Sequence, residues 1–487
     1  YTLAFISLTA LLLSFFDLIS YSPTHILISF GVINTLSILL NYLATKAFRL
    51  NFQYESTIIT ALILFLILLP IDSLNTLYGT VIAVAGAILS KYLLTWRRTH
   101  IFNPAAFGLF LTYILGFPIG FWWVGTPFLL PTVLIGGYLV LRKTRRENIF
   151  IWGNIFSLVA IAISSFYYQV PFGQSLLSAY ISGPIIFFLC FMVTEPHTIA
   201  TTKAKQFFYV ALIILFPALF NLLEIYFISP ELALLIANIY SLFISHRERL
   251  VLKLKEVKIL AEEIYEYIFT TSGANKFVAG QFMEVYIPHP NPDNRSLRRY
   301  FSISSAPGNP DFAFATKFSK DKMSTYKTFM KSLQPGDIIW ANQIGGDFTL
   351  DNNDNVVMFA GGIGITPFIS MLRELISNNS KKNITIFYGV RNKEEVAYLD
   401  VLKQANLVGI KVVIVVAEIL DQDLGIFGLN AERGYINKDL LVKYVPNYLE
   451  NVFYISGPSR MVDALKAVLK SLGIRSKKIY TDYFPGF

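Results

Sequence analysis

The sequence predicts two fold classes in one chain. Residues 1–246 read as a polytopic α-helical membrane domain of about ten transmembrane helices. Residues 247–350 read as a soluble antiparallel β-barrel domain, and residues 351–487 as a doubly wound α/β domain. Three observations carry this. The 487 residues are 54% hydrophobic and only 15% charged, too apolar for one water-soluble globule. Long apolar runs fill the chain up to His246, whereas from Arg247 onward charges recur every few residues. Beyond Val251 hydrophobicity alternates with period two, and beyond Asp354 it settles into repeated strand, turn and helix.

A helix needs roughly 20 apolar residues to cross the hydrocarbon core. The candidate runs are 1–17, 25–46, 56–72, 76–95, 103–118, 124–142, 149–167, 173–194, 205–223 and 227–246. Basic residues cluster in every second connection: Lys46 and Arg49; Lys91, Arg97 and Arg98; Arg142, Lys143, Arg145 and Arg146; Lys203 and Lys205; Arg247 and Arg249. The intervening connections at 17–25, 71–75, 117–125, 166–174 and 222–231 contain no Lys or Arg. Basic loops stay on the cytoplasmic side, so this alternation places the N-terminus and the polar half in the cytoplasm of a multi-pass protein of the cell (inner) membrane, surrounded by lipid bilayer. The formal charge of +9 therefore reports topology, and no nucleic-acid partner is expected. Tyr1 already lies inside an apolar run, so the initiator Met and a few residues are expected upstream, and no signal-peptide cleavage pattern is read.

One cysteine, Cys190, leaves no disulfide within the chain and no cluster held by this chain alone. Of the five histidines, His25, His100, His197 and His246 fall at run ends or in loops and His289 lies in the polar half. The two His pairs of a transmembrane haem site are thus not available, and no metal site is expected. Two polar breaks interrupt the apolar half: FNPAAFG at 102–108, with the amide of Asn103, and TEPHTIATT at 194–202, with Thr194, Glu195 and Thr198. Proline, a polar side chain and small residues at a helix end free backbone groups for a polar or anionic ligand, although an ordinary proline helix start reads the same way. The pair FNPA and FMVTEPHTIATT resembles the membrane subunits NqrB and RnfD of sodium-pumping NADH:quinone reductase and the Rnf complex, over most of residues 20–245. Those subunits carry FMN covalently on a Thr in an SGAT-like motif. Here the corresponding loop is FPIGFWWVGTP, where Thr126 is the only nearby Thr. The resemblance therefore implies a noncovalent FMN or riboflavin, or a quinone, in this half.

In the polar half, Arg299-Tyr300-Phe301-Ser302 sits in an alternating run. A guanidinium suits a pyrophosphate, an aromatic ring can stack on a flavin, and a hydroxyl can bond flavin N5, although so short a motif also recurs by chance. Ser324 and Thr325 open a helix that can offer N–H groups and hydroxyls to the same pyrophosphate. Gly361-Gly362-Ile363-Gly364-Ile365-Thr366-Pro367 follows an apolar strand and starts a helix, the context of a nucleotide-binding turn. Tyr388 and Arg391 lie after the next strand, and Ser456-Gly457-Pro458 with Met461 lies after a later one, at strand ends where such sheets bind ligands. The chain closes on Asp482, Phe484 and Phe487.

In this order the motifs resemble the ferredoxin–NADP reductase family across 251–487. The resemblance implies FAD on the barrel and NAD(P)H on the α/β domain. Ser302, Ser456 and Asp482 would lie at the reacting rings, and Phe487 would shield the flavin. Phe301 stands where the family has Tyr, and Ser456 where it often has Cys.

Joined, the halves are expected to form a membrane flavoprotein that oxidises cytoplasmic NAD(P)H and sends electrons into or across the membrane, with an extracytoplasmic flavoprotein as acceptor. An NAD(P)H:quinone reductase using the bilayer pool, or a transporter regulated by redox state, are the alternatives.

Overall fold

In the computed structural model the chain is described at all residues except 49–53, 97–98, 145, 197, 225–228, 246–249, 272–275, 290–296, 319–322, 352, 381 and 485–487. It divides into two compact units, Tyr1–Glu248 and Arg249–Phe487.

The first unit is helical: α1 (Thr2–Phe15), α2 (Pro23–Ala47), α3 (Tyr54–Ile67), α4 (Leu74–Leu93), α5 (Pro104–Ile114), α6 (Leu130–Thr144), α7 (Glu147–Tyr167), α8 (Phe172–Ile181), α9 (Ile185–Met192), α10 (Lys203–Leu222) and α11 (Pro230–Ile244). A two-stranded ribbon, β1 (Thr95–Trp96) and β2 (Thr99–His100), follows α4. Helix starts follow local chemistry. Ser22, Ser73, Asn103 and Ser229 each accept a backbone N–H of the first turn, and Pro23, Pro104 and Pro230 occupy positions with no N–H to lose. Helices α4 and α5 approach through small residues. A Cβ on Gly108 would collide with the Ala83 carbonyl, and one on Gly86 would meet Leu111 at 2.8 Å.

The expectation of ten spans is corrected. Among the described residues four helices, α2, α4, α7 and α10, are long and apolar enough to cross a membrane. The α8–α9 pair, bent by 55°, makes a fifth if it is one span, while α1, α3, α5 and α11 are shorter apolar helices. Apolar run length overstates helix length here because several runs continue as extended chain. Run 56–72 ends its helix at Ile67, and Leu68 then bridges to Gly120. Residues 117–125 fold back on this end: the N–H groups of Phe121 and Trp122 reach the Ile67 carbonyl, that of Val124 reaches Leu66, and Trp123 Nε1 donates to Phe65 at 2.8 Å. Helix α3 is accordingly buried from Ala61 onward, at the centre of the bundle.

The second unit has two lobes. Strands β3 (Leu250–Ala261), β4 (Ile264–Thr271), β5 (Phe282–Tyr286), β6 (Arg298–Ser302), β7 (Asp311–Lys317) and β8 (Ile338–Gly345) form an antiparallel sheet in the order β6-β5-β8-β3-β4-β7. Its outer strands meet through the Ile303–Phe314 bridge, which closes a small barrel. Tyr267, Phe269, Phe312 and Phe314 fill the barrel, and the short α12 (Thr325–Lys331) adds Tyr326 and Met330.

The second lobe is a six-stranded parallel sheet: β9 (Asn355–Gly361), β10 (Asn383–Asn392), β11 (Lys411–Glu418), β12 (Asn430–Arg433), β13 (Val452–Pro458) and β14 (Ile479–Phe484), in the order β12-β11-β10-β9-β13-β14. Helices α13 (Thr366–Ser377), α14 (Leu399–Leu407), α15 (Lys438–Tyr444) and α16 (Ser459–Ser471) connect the strands. Apolar residues of one strand face alternate sides, as a doubly wound sheet requires. Met358 belongs to one core with Ile386 and Val412, and Phe359 belongs to the other with Phe387 and Val413. Strand order reverses at β9, so the crevice between the C-terminal ends of β9 and β13 is the switch point where such folds hold ligands.

Candidate active site

Strand β6 presents its residues alternately. Arg299 and Phe301 face the barrel interior: the Arg299 guanidinium lies 4.9 Å over the Tyr326 ring, and Phe301 stacks on Phe314 at 4.6 Å. Tyr300 faces outward, half exposed, edge-on to Phe282. Period-two alternation puts Arg299 and Phe301 on one face of β6 and Tyr300 on the other. Ser302 is buried at the end of the strand, opposite Phe282. Ser324 is engaged differently from the expectation, since its hydroxyl caps α12 by accepting the Lys327 N–H at 3.2 Å. Thr325 Oγ1 lies 3.3 Å from His289 Nε2. Tyr326, not singled out from the sequence, is fully buried with its hydroxyl on the Val285 carbonyl, and burial pushes its phenol well above the ordinary range.

At the switch point, glycine is required for two different reasons. Gly362 has φ +52, a left-handed conformation with open space where a side chain would stand. Gly364 instead packs backbone on backbone: a Cβ there would lie 2.6 Å from the Gly457 Cα and the Ser456 carbonyl oxygen. Gly361 and Gly457 are sealed by the Met461 thioether, which a Cβ on either would strike. The turn leads into α13, where Thr366 Oγ1 donates to the Ile363 carbonyl, Pro367 occupies the first turn, and no side chain caps the helix.

One row crosses the sheet at this level. Tyr388 on β10 is level with Ala360 on β9, Ala360 with Ser456 on β13, and Ser456 with Asp482 on β14. Phe484 is level with Pro458, and Phe487 lies outside the described residues. Tyr388 is not open to a ligand. It is fully buried, and its hydroxyl meets the Glu395 carbonyl and the Ala397 N–H at 3.4 Å each, so it braces the loop after β10. Arg391 is exposed at the end of β10, where its Nε donates to Glu418 at 2.9 Å.

Ser456 supplies the test of fit. Its side chain is fully buried, yet its Oγ has no hydrogen-bond partner among the described residues. A buried hydroxyl left without a partner costs about 1–3 kcal/mol, a cost a bound ligand with a polar edge removes. Together with the open space at Gly362 and the uncapped start of α13, it fits a nicotinamide nucleotide. Arg299 fits the pyrophosphate of a flavin nucleotide.

In the helical unit the two polar breaks meet. His100 Nε2 lies 3.2 Å from Glu195 Oε1, and Thr198 Oγ1 donates to Glu195 Oε2 at 2.9 Å. Asn103 caps α5 with its Oδ1, donates from Nδ2 to the Met192 carbonyl and donates its backbone N–H to Asn238 Oδ1. Thr194 Oγ1 bonds back to the Cys190 carbonyl, and Arg146 reaches the Thr194 carbonyl at 2.7 Å.

Residues 358–467 match the oxidoreductase NAD-binding domain. The chain is 29% identical over 224 residues to the flavohemoprotein of Bacillus cereus strain ATCC 10987, an alignment covering 43% of this chain and 54% of that protein. It is 27% identical over 221 residues to the glycine betaine monooxygenase reductase subunit of Chromohalobacter salexigens, covering 43% and 56%. The chain thus spans about half the length of the curated relatives it matches. Among solved structures, the flavohaem-like FAD/NAD-binding domain of nitric oxide dioxygenase from Vibrio cholerae O1 biovar El Tor aligns with TM-score 0.42 at 18% identity, covering 48% of this chain and 98% of that one.

The C-terminal half accordingly carries an oxidoreductase NAD-binding domain, and FAD and a nicotinamide nucleotide are the cofactors that its likeness to these relatives supports. That half thus carries the nucleotide-binding domain of an oxidoreductase.

Proposed function

We propose that this oxidoreductase is embedded in the cell membrane, takes reducing equivalents from cytoplasmic NAD(P)H, and passes electrons into the helical unit toward an acceptor in or beyond the bilayer. The observation that carries the reading is the union of an FAD and nicotinamide module with helices whose apolar side chains face outward. Of the most hydrophobic 18-residue windows of α7 and α10, only 22% and 17% is buried. Bound FAD accepts a hydride and can release electrons singly, which suits it to join a nicotinamide donor to a one-electron path. The chain's own residues do the rest. Arg299 neutralises the pyrophosphate, Ser456 bonds the polar edge of the nicotinamide, and the Gly361–Gly364 turn lets backbone approach the dinucleotide.

The first acceptor in the helical unit is placed at the junction of the two polar breaks, a noncovalent FMN or riboflavin held near Asn103, Thr194, Glu195 and Thr198. Support comes from the resemblance of these segments to NqrB and RnfD and from their convergence in space across 95 residues of sequence. The final acceptor is an extracytoplasmic flavoprotein.

The test uses the full chain in sealed vesicles, with NADH or NADPH outside and ferricyanide trapped inside. Reduction of the trapped ferricyanide without added quinone is the expected result. Reduction that appears only when quinone is added to the bilayer would replace this reading with a quinone reductase. Oxidation of NAD(P)H by added ferricyanide alone, never by the trapped pool with or without quinone, would remove the transmembrane path.

A further inference from the structure

The two lobes of the C-terminal unit are joined by a buried charge that the dinucleotide site does not need for binding. Glu266 lies on β4, on the strand face opposite the barrel core, and is only 2% exposed. Its neighbour on that face, Ile264, belongs to the apolar core of the nucleotide lobe. Both carboxylate oxygens are occupied. Oε1 accepts Arg373 Nη1 at 2.9 Å, Tyr398 OH at 3.0 Å and Ser304 Oγ at 2.5 Å, and Oε2 accepts Arg373 Nη2 at 3.4 Å. Arg373 Nη1 also donates to the Ser304 carbonyl at 2.9 Å, and the guanidinium lies 5.4 Å over the Tyr398 ring.

The partners sit on the two elements that flank the nucleotide crevice. Arg373 is on α13, the helix that the glycine turn opens, and Tyr398 ends the loop that follows β10. Tyr398 holds φ 57 and ψ 31, a left-handed conformation that a bulky residue keeps only where its surroundings enforce it. The same loop is tied to the barrel lobe twice more. Lys317 Nζ lies 2.6 Å from Glu395, and the Glu262 N–H donates to the Glu394 carbonyl at 3.0 Å. On α13, the buried Ser370 hydroxyl donates across the seam to the Ser305 carbonyl at 2.7 Å.

A buried ion pair loses much of its Coulombic gain to desolvation, and an apolar contact of the same volume holds two surfaces together at least as well. What a bidentate fork adds is direction: it fixes one angle between lobes where an oily seam admits several. We propose that Glu266, Arg373 and Tyr398 form a positioning clamp that sets the distance and angle at which the nucleotide lobe presents nicotinamide to the flavin on the barrel lobe. None of the three is a catalytic residue. They act through the lobes they orient, and hydride transfer is steeply sensitive to such orientation. The proposal rests on the reductase chemistry assigned to this module.

The experiment is done on the full chain with Glu266→Gln, Arg373→Lys and the milder Tyr398→Phe. FAD per chain, nucleotide affinity for the oxidised cofactor, the stopped-flow rate of flavin bleaching by NAD(P)H and its isotope effect with 4-deuterated nucleotide are measured. Expected are unchanged FAD content and nucleotide affinity within about twofold, a bleaching rate lower by about tenfold to a hundredfold in Glu266→Gln and Arg373→Lys, and an altered isotope effect. Tyr398→Phe, which keeps the ring, is expected to lose less. If the first two variants do not fold, a Tyr398→Phe protein with wild-type rate and isotope effect overturns the clamp. So does a rate loss matched by loss of FAD or of nucleotide affinity. A wild-type chain that binds FAD but is not bleached by either nucleotide overturns the reductase reading itself, a result distinct from failure of the clamp.

Discussion

The helical unit and the reductase unit use the same apolar residues in opposite directions. In the reductase unit Val, Ile and Phe of the strands are enclosed, and charged side chains cover the outside. In the helical unit many large apolar side chains point outward, among them Phe15, Ile155, Ile163, Phe208 and Phe243, while Asn103, Thr198, Glu231 and Asn238 are buried inside. Glu231 accepts Trp122 Nε1 at 2.7 Å, and Asn238 donates to the Tyr209 hydroxyl at 2.9 Å. Water selects the first arrangement. The membrane reading proposed above accounts for the second, because in a hydrocarbon surround helices gain nothing by hiding Leu and gain by pairing amides.

The contrast is broken or sharpened most strongly by a charge placed on each outer surface. Ile155→Lys, near the middle of α7, is expected to lower the stability of the full chain in nanodiscs by about 3 kcal/mol. Leu407→Lys, at an equally apolar but water-facing site on α14, is expected to stay within about 0.5 kcal/mol. Equal effects in thermal unfolding would erase the difference between the units.

Within the reductase unit, Gly364→Ala forces a methyl against the Gly457 backbone. Flavin reduction by NAD(P)H, followed by stopped flow, is expected to slow by about a hundredfold. Arg299→Ala removes the cation beside Tyr326, and fluorescence titration is expected to find FAD binding weaker by about 2 kcal/mol, roughly thirtyfold.

Ser456→Ala is expected to slow flavin reduction about tenfold while leaving the melting temperature unchanged or slightly higher, because the hydroxyl it removes has no partner in the folded chain. A fall in melting temperature with unchanged rate would move Ser456 out of the site.

The smallest effect is at Glu432, whose carboxyl is held below its usual range by hydrogen bonds from Lys443 and Tyr444 at 2.6 Å each. A carboxyl with a depressed folded value contributes stability that is present above its unfolded value and is lost as pH falls through the folded one. Glu432→Gln is therefore expected to flatten, slightly, the drop in melting temperature between neutral and acid pH.

The two units were not equally legible in the sequence. Gly361, Gly362, Gly364 and Gly457 could be placed because each answers a local backbone demand at a strand end. Arg299 stood out because it opens the run Arg299-Tyr300-Phe301-Ser302, which resembles a flavin-binding motif. That Phe301 stacks on Phe314 while Tyr300 faces outward could not be read, because the motif does not state which strand face meets the barrel interior. Glu266, Arg373 and Tyr398 were missed for a different reason: Glu266 and Arg373 are 107 residues apart, and they meet only when one lobe covers what looks like the solvent face of β4. The signal available was Glu266 itself, one carboxylate inside the run IYEYIFTT. In the helical unit, composition marked the apolar stretches but not where each helix stops, because a run of Leu and Ile reads the same whether coiled or extended.

The fold-back of residues 117–125 onto α3 also sets an order of events during synthesis. Helix α3 is 14 residues long, about 21 Å, well short of a roughly 30 Å hydrocarbon core, and its last carbonyls are met by N–H groups that leave the ribosome some fifty residues later. Until Trp123 and its neighbours arrive, the last carbonyls of α3 lack these partners. On the membrane reading proposed above, the centre of the bundle is completed only once residues 117–125 have been made.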